Sequence, residues 1–137
     1  MSHVFARISS DPLDDSTVDE FVWSAESGAV VAFQGIVRDH DGGRGVVSLD
    51  YRAHPDAERF LLECCEAIAA RTGLRVAAEH RVGSLTVGDL ALIAAVAAPH
   101  RAEAFAACAE LVELIKARVP IWKRQHFADG ASEWVGL

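Results

Sequence analysis

The chain has 137 residues, of which 51% are hydrophobic and 24% are charged, as is usual for a soluble globular protein. This length suits one domain with its own core, so we expect a single domain over residues 1–137. The formal net charge of −7 argues against a broad nucleic-acid-binding face, and no apolar run approaches the roughly 20 residues that cross a bilayer.

The N-terminal half predicts three strands, two helices and a polar loop. Its first seven residues lack the basic and then apolar layout of a secretory signal, so we expect a cytoplasmic protein. Ala29–Phe33 is a continuous apolar run, which is typical of a central strand covered on both faces. Asp39–Gly45 matches neither a P-loop nor an EF-hand, and we expect a mobile loop that acts as a lid. The other predicted elements are a strand at Val4–Ile8, a helix capped by Ser16 and ending near Ser24, a strand at Val46–Arg52 and a helix from Pro55 to Arg71.

The C-terminal half predicts further strands around a second long helix. This helix begins beside Pro99 and ends near Arg118, because Pro120 disfavours helical geometry at the residue before it. The predicted extended segments are Leu74–Val82, Leu90–Ala98, Ile121–Phe127 and Glu133–Val135, with a turn region at Gly83–Asp89. This mixed order predicts an α+β domain in which a mostly antiparallel sheet packs against two long helices.

The three cysteines give no sign of a metal site or a disulfide framework. Cys64, Cys65 and Cys108 form neither a CxxC pair nor a Cys/His quartet. Each lies among apolar residues of a predicted helix, where cysteine behaves as a small hydrophobe. We therefore predict reduced, buried thiols, and neither a metal nor a cofactor.

Two lysines lie on either side of Pro120, where the second long helix must end. Lys116 falls in the last helical turn, and Lys123 follows seven residues later in an extended segment. Cations that are brought together at such a corner can hold an anion and can lower each other's pKa. This basic cluster in an acidic chain predicts a site for an anion. Trp122 between the lysines is expected to pack in the core, with stacking on a heterocycle as the alternative.

Two further places carry candidate anion-binding residues. His100 and Arg101 lie at the start of the second long helix, whose free N–H groups suit a phosphate or a carboxylate. Equally, His100 could cap the helix while Arg101 is a solvated side chain that pairs with local acids. Arg38 ends the apolar strand beside the glycine-rich loop, where it either binds an anion or is a solvated surface side chain.

The length of the second helix separates two of these candidates. Arg101 and Lys116 are 15 residues apart, which corresponds to about 22 Å along a straight helix. A small ligand cannot readily touch both ends. Either one end is functional, or the two ends come from different subunits that meet at a symmetric interface.

Several separated segments together resemble one family, the large catalytic subunit of molybdopterin synthase. The match runs from about residue 28 to the end of the chain, in the family's order and spacing. The segments that carry the resemblance are Gly28–Asp39, His80–Gly83, Pro99–Phe105, Ile115–Lys123 and Trp134–Val135.

The resemblance implies a hammerhead-like α+β fold and a sulfur transferase activity. In that family a small ubiquitin-like subunit carries a C-terminal Gly-Gly thiocarboxylate, whose sulfur is delivered to cyclic pyranopterin monophosphate. Two rounds of transfer build the dithiolene of molybdopterin. The resemblance further implies a homodimer of this chain within a heterotetramer, with one small subunit at each end.

The resemblance also assigns roles to the candidate residues. Lys116 is the main catalytic lysine, and Lys123 is a substrate-anchoring or acid–base residue. Arg38, His100 and Arg101 bind the substrate, and the last two come from the opposite subunit. Because the partner supplies the sulfur, no reactive cysteine is required in this chain.

The chain departs from the family pattern at some positions. Ile36 occupies a place where many members carry a basic residue, and the residues around Arg52 and His54 differ from those of many members. The chain also stops soon after Trp134, so pocket residues from a longer tail cannot be transferred. The alternatives are a non-catalytic anion-binding or scaffold domain that docks the small subunit, and an acid–base enzyme for an unrelated phosphorylated metabolite.

Overall fold

Two β-sheets and three helices form the chain in the computed structural model, which describes residues 3–136. The helices are α1 (Asp15–Val22), α2 (Ala57–Thr72) and α3 (Arg101–Arg118). The strands are β1 (Val4–Ser9), β2 (Ala29–Ile36), β3 (His40–Asp41), β4 (Arg44–Ala53), β5 (Arg75–Arg81), β6 (Gly83–Thr86), β7 (Leu90–Ala98), β8 (Ile121–Phe127) and β9 (Ser132–Gly136). Within the described range, no helix has the length and apolar character needed to span a membrane.

The first sheet has the strand order β1-β5-β7-β2 and lies between helices. Only the β1–β5 pair is parallel among its pairings. Val18 and Val22 of α1 pack on one face against Ala77 and Ile93, while α2 and α3 cover the opposite face with the main core. The predicted α+β class, with two long helices, is confirmed.

Strand β2 lies at the edge of this sheet, and its predicted central, doubly covered position is wrong. Val31 and Phe33 pack on the core, but Val30 is 41% exposed and Ile36 is 53% exposed. A short apolar run is compatible with either position, because the sequence does not say whether the second face is covered. The doubly covered strands are β5 and β7, and every residue of β7 after Leu90 is buried.

The second sheet contains a hairpin where the sequence predicted a mobile lid. Its order is β3-β4-β8-β9, and β6 pairs with β4 inside the region predicted as a turn. Gly42 and Gly43 connect β3 to β4 with φ angles of 57° and 81°, a conformation that glycine adopts readily. The Arg44 guanidinium lies 3.6 Å from the centre of the Phe127 ring and forms an ion pair with Asp129. These contacts tie the hairpin to the rest of the sheet.

The helix ends follow local hydrogen-bonding rules, with one correction. Asp14, and not Ser16, caps α1, since its carboxylate accepts a hydrogen bond from the Ser16 N–H at 2.9 Å. Helix α2 ends at Gly73, whose φ of 74° is the left-handed conformation common at helix C-termini. Helix α3 ends before Pro120, as predicted.

The three cysteines are buried and unpaired, as predicted. Burial raises the pKa of the Cys65 thiol to about 12. Burial also raises the pKa values of Cys64 and Cys108. Since the thiolate is the reactive form, these side chains act as packing groups.

Candidate active site

A polar pocket of about 340 Å³ lies beside the C-terminal end of α3, with walls from both sheets. The ionisable side chains that line it are Arg38, Tyr51, His80, Lys116 and Lys123. The remaining walls include the C-terminal half of β2. Lys116 and Lys123 are the only two lysines in the 137-residue sequence, so every lysine of the chain faces this one cavity.

The corner at Pro120 brings the two lysines together. The helix ends with a hydrogen bond from the Val119 N–H to the Ile115 carbonyl at 3.0 Å, and β8 begins directly after the proline. The Pro120 carbonyl accepts a hydrogen bond from the His54 N–H at 3.0 Å, which fixes the corner to the end of β4. Lys123 then lies opposite Tyr51 in the antiparallel pairing of β8 with β4.

Trp122 does not pack in the core as the sequence suggested. It is 45% exposed and belongs to the alternate set of β8 residues, so its side chain lies on the sheet face opposite Lys123. Trp134 on β9 is similarly exposed, with the Arg52 guanidinium 5.3 Å from the centre of its ring.

The pocket disfavours the charged form of Lys123. Burial is the largest cause of its lowered pKa, and the positive charges of Lys116 and Arg38 lower the pKa further. The Asp41 carboxylate opposes these effects and raises the pKa of Lys123. A lysine in such surroundings can release and regain a proton more easily than one in water.

Asp41 connects the hairpin to the cations of the pocket. One carboxylate oxygen accepts a hydrogen bond from Arg38 Nη2 at 3.1 Å, and the other accepts one from Gln125 Nε2 at 2.7 Å. The bond from Gln125 is the largest cause of the lowered pKa of Asp41. Asp41 and Gln125 were missed from the sequence because the hairpin was predicted to be a mobile loop.

His80 forms part of the pocket wall although it is only 2% exposed. Its Nδ1 lies 2.7 Å from the Arg81 carbonyl oxygen, and the Tyr51 ring approaches edge-on with a centroid distance of 5.0 Å. Burial lowers the pKa of His80 to about 4, against the hydrogen bond to Arg81, and the Lys116 charge lowers it further. The available signal in the sequence was a histidine inside an otherwise apolar strand, but no role was assigned to it.

His100 and Arg101 lie at the other end of α3 and do not line this pocket. His100 occupies the N-cap position, yet its side chain makes no capping hydrogen bond. Within residues 3–136, no acidic side chain forms an ion pair with Arg101. The capping bond and the ion pair of the structural alternative are therefore not seen at this end of the helix, whereas Arg101 is exposed, as that alternative expects.

The strand edge beside α3 carries an apolar groove of about 350 Å³. Its walls include Phe33 of β2 and Phe105, Cys108 and Val112 of α3. Phe105 is 61% exposed. The groove therefore lies along α3, between Arg101 at its start and Lys116 in its last turn.

Comparison with known proteins gives consistent matches along the chain. A family model described as "MoaE protein" matches residues 8–118. Molybdopterin synthase catalytic subunit 1 of Mycobacterium tuberculosis is 42% identical over 139 residues, covering 98% of this chain and 92% of the relative. The molybdopterin synthase catalytic subunit of a Nostoc species is 38% identical over 129 residues, covering 92% and 78%. The crystal structure of molybdopterin synthase from Staphylococcus aureus superposes with a TM-score of 0.88 at 34% identity, covering 100% of this chain and 99% of that one.

Proposed function

The chain belongs to the MoaE protein family, and on that premise we propose that it is the sulfur-transferring catalytic subunit of a molybdopterin synthase. Its small-molecule substrate is cyclic pyranopterin monophosphate. Its sulfur donor is the thiocarboxylated Gly-Gly tail of a small ubiquitin-like subunit. Its relatives are named as catalytic subunits, which supports the presence of a second kind of subunit. The observation that carries the proposal is the cavity in which Arg38, Lys116 and Lys123 converge.

The charges of this cavity suit both substrates. A phosphate and a thiocarboxylate are anions, and an acidic chain with a net charge of −7 needs a local cluster of cations to hold them. Arg38 supplies a planar guanidinium that suits a phosphate group. Lys116 supplies an ammonium that can polarise the thiocarboxylate carbonyl and stabilise the negative charge that develops on its oxygen.

Lys123 is suited to proton transfer in the same cavity. Its lowered pKa brings it closer to neutral pH, where a side chain exchanges protons most effectively with a reacting group. It also adds positive charge to the anion site whenever it is protonated. We therefore assign Lys116 as the main catalytic lysine and Lys123 as an acid–base or substrate-anchoring residue.

The sulfur comes from the partner in this proposal, and the cysteines of the chain support that assignment. All three thiols are buried, and burial raises their pKa values. A nucleophilic cysteine needs the opposite environment, with a lowered pKa and access to substrate.

We further propose that the chain works as a homodimer within a heterotetramer. Arg101 and Lys116 are about 22 Å apart along α3, so one copy cannot direct both residues at one small substrate. A second copy seated on the exposed edge of β2 and the apolar groove beside it would bury Phe105 and Val30. His100 and Arg101 of that second copy then complete the substrate site.

The proposal is tested by reconstituting the reaction with purified chain, thiocarboxylated small subunit and the pterin substrate, and by measuring dithiolene formation. Lys116→Ala is expected to abolish conversion while the variant stays folded and dimeric. Arg118→Ala is the matched control, since it removes a positive charge from the same helical turn outside the pocket. If the unaltered chain binds the small subunit but forms no dithiolene, the scaffold alternative replaces the proposed activity.

A further inference from the structure

A buried histidine is an unexpected part of a pocket that otherwise presents cations. His80 lies on β5, where it is opposite Leu92 of β7 and beside Ile8 of β1. It is 2% exposed, so its ring is held by protein on most sides and meets the cavity over a small area. The sulfur-transfer roles assigned above leave this side chain without a role.

The contacts of the ring determine what it can offer to the pocket. The Arg81 carbonyl oxygen lies 2.7 Å from Nδ1 and can only accept a hydrogen bond, so Nδ1 carries the hydrogen. In an uncharged ring Nε2 then has a free lone pair and acts as an acceptor. No described residue, Lys116 included, donates a hydrogen bond to Nε2 in this structure, and the Tyr51 ring lies nearly perpendicular to the imidazole with a centroid distance of 5.0 Å.

Lys116 is an exposed residue that lines the same cavity as His80 and has no fixed partner there. Within the described part of the chain, its ammonium has no ion pair and no hydrogen bond with a carboxylate. Its charge is nevertheless close enough to His80 to disfavour protonation of the imidazole. A lysine side chain without a fixed partner retains its rotamer freedom, which is costly where a reaction depends on its position.

We propose that His80 is a positioning residue for Lys116: its uncharged imidazole offers Nε2 as a hydrogen-bond acceptor to the ammonium and keeps that group inside the pocket. The Nδ1 bond to Arg81 fixes the ring, and the Nε2 lone pair performs the positioning. The catalytic consequence of this role rests on the proposed sulfur transfer, whereas the positioning itself does not.

Two substitutions separate the role of Nδ1 from the role of Nε2. The amide of His80→Asn reaches about as far as Nδ1, so it can keep the bond to Arg81 but offers no acceptor at the depth of Nε2. The longer His80→Gln side chain can place its carbonyl oxygen near the Nε2 position. A purely structural histidine predicts that Asn is the better replacement, and a positioning role predicts that Gln is.

The primary measurement is the rate at which an amine-reactive reagent labels Lys116 at fixed pH, resolved by peptide mass spectrometry. Lys123, the other lysine of the chain, shares the cavity and responds to the charge of Lys116, so a free lysine derivative added to the reaction serves as the reference. We expect labelling of Lys116 to be several-fold faster in His80→Asn and close to the unaltered rate in His80→Gln. Equal labelling in all three proteins, or a larger change in His80→Gln, would overturn the proposal.

Turnover provides a second measurement that depends on the proposed function. His80→Asn is expected to lower kcat by roughly tenfold with little change in the KM for the pterin substrate, and His80→Gln to recover most of that loss. If the unaltered chain gives no turnover, the proposed function fails, while the labelling rates still decide the role of His80.

A measurement on the unaltered protein covers the case in which a variant does not fold. Nitrogen chemical shifts of the His80 ring in the folded chain report which nitrogen carries the hydrogen. We expect hydrogen on Nδ1 and an accepting Nε2. Hydrogen on Nε2 in the neutral ring would exclude it as an acceptor and overturn the proposal.

Discussion

Gly28 provides the sharpest test of how β2 and the start of α3 fit together. A Cβ atom at this position would lie 2.4 Å from the Pro99 carbonyl oxygen, whereas ordinary van der Waals contact begins at 3.4 Å. Gly28→Ala therefore requires a movement of about 1 Å between two backbone segments, since neither atom belongs to a flexible side chain. One of these two segments is the corner that carries His100 and Arg101.

The expected cost follows from overpacking. Forcing one extra carbon into a close contact usually lowers the free energy of unfolding by about 1–3 kcal/mol. For a domain of this size, such a loss lowers the Tm by roughly 3–12 °C. Gly45→Ala is the matched control, because its added Cβ would lie 3.5 Å from the Ala128 Cβ, which is an ordinary contact.

Urea unfolding of the two variants and the unaltered chain measures this difference. Gly28→Ala should unfold at a clearly lower urea concentration, and Gly45→Ala should change the midpoint little. If the corner at Pro99 moves instead of β2, Gly28→Ala should also lower turnover. This loss should be larger than the unfolded fraction at the assay temperature explains. An unchanged urea midpoint for Gly28→Ala would refute the close approach of Gly28 to Pro99.

Three further outcomes test the site and the core. Asp41→Asn should lower the pKa of Lys123 further, because the Asp41 carboxylate favours the charged lysine; a Lys123 titration by NMR that does not move downward would contradict this. Burial lowers the pKa of His80 to about 4 in the folded chain, so between pH 6.5 and about 4 the unfolded chain binds a proton that the folded chain does not. Lowering the pH through this range should therefore lower the free energy of unfolding by about 3 kcal/mol at most. His80→Gln should flatten the pH dependence of unfolding there, and an unchanged slope would argue against a neutral buried ring. Cys65 should resist alkylation at pH 8 in the folded chain, since burial raises its pKa to about 12; rapid modification without unfolding would show that the thiol is accessible.

The helices and the lysine corner were predictable because their signals are local. Pro120 must end a helix, and the spacing across it therefore fixes Lys116 in the last turn and Lys123 on the next strand. Gly73 ends α2 for a similar reason, since its positive φ is costly for residues with a side chain. Such rules involve only residues within one or two turns of each other.

The errors came from features that depend on distant parts of the chain. Whether β2 is central or at an edge depends on which strand pairs with it, and its apolar residues do not contain that information. Asp39–Gly45 was read as a lid because its composition is polar, but its pairing with β4 and the Arg44 contacts with Asp129 order it. Trp122 was expected to be buried, since its size favours the core and the sequence does not show which face of β8 it occupies.

The residues of the candidate site also fall into two groups, those with a local signal in the sequence and those without one. Arg38, Lys116 and Lys123 stand out in the sequence as charges at the ends of predicted elements. His80 and Tyr51 lie inside strands, and they reach the pocket only because β5 and β4 approach the end of α3 in three dimensions. A histidine in a buried strand is a weak signal alone, since such residues are often structural.

The direct passage from α3 through Pro120 into β8 also limits how the length of this protein can change. Successive residues of a strand face opposite sides, so one inserted residue between Pro120 and Lys123 would turn the second lysine out of the cavity and expose it on the face that Trp122 now occupies. One residue added between Gly42 and Gly43 would only enlarge the tip of a hairpin. A one-residue insertion is therefore compatible with the site at the hairpin tip, whereas one between Pro120 and Lys123 is not.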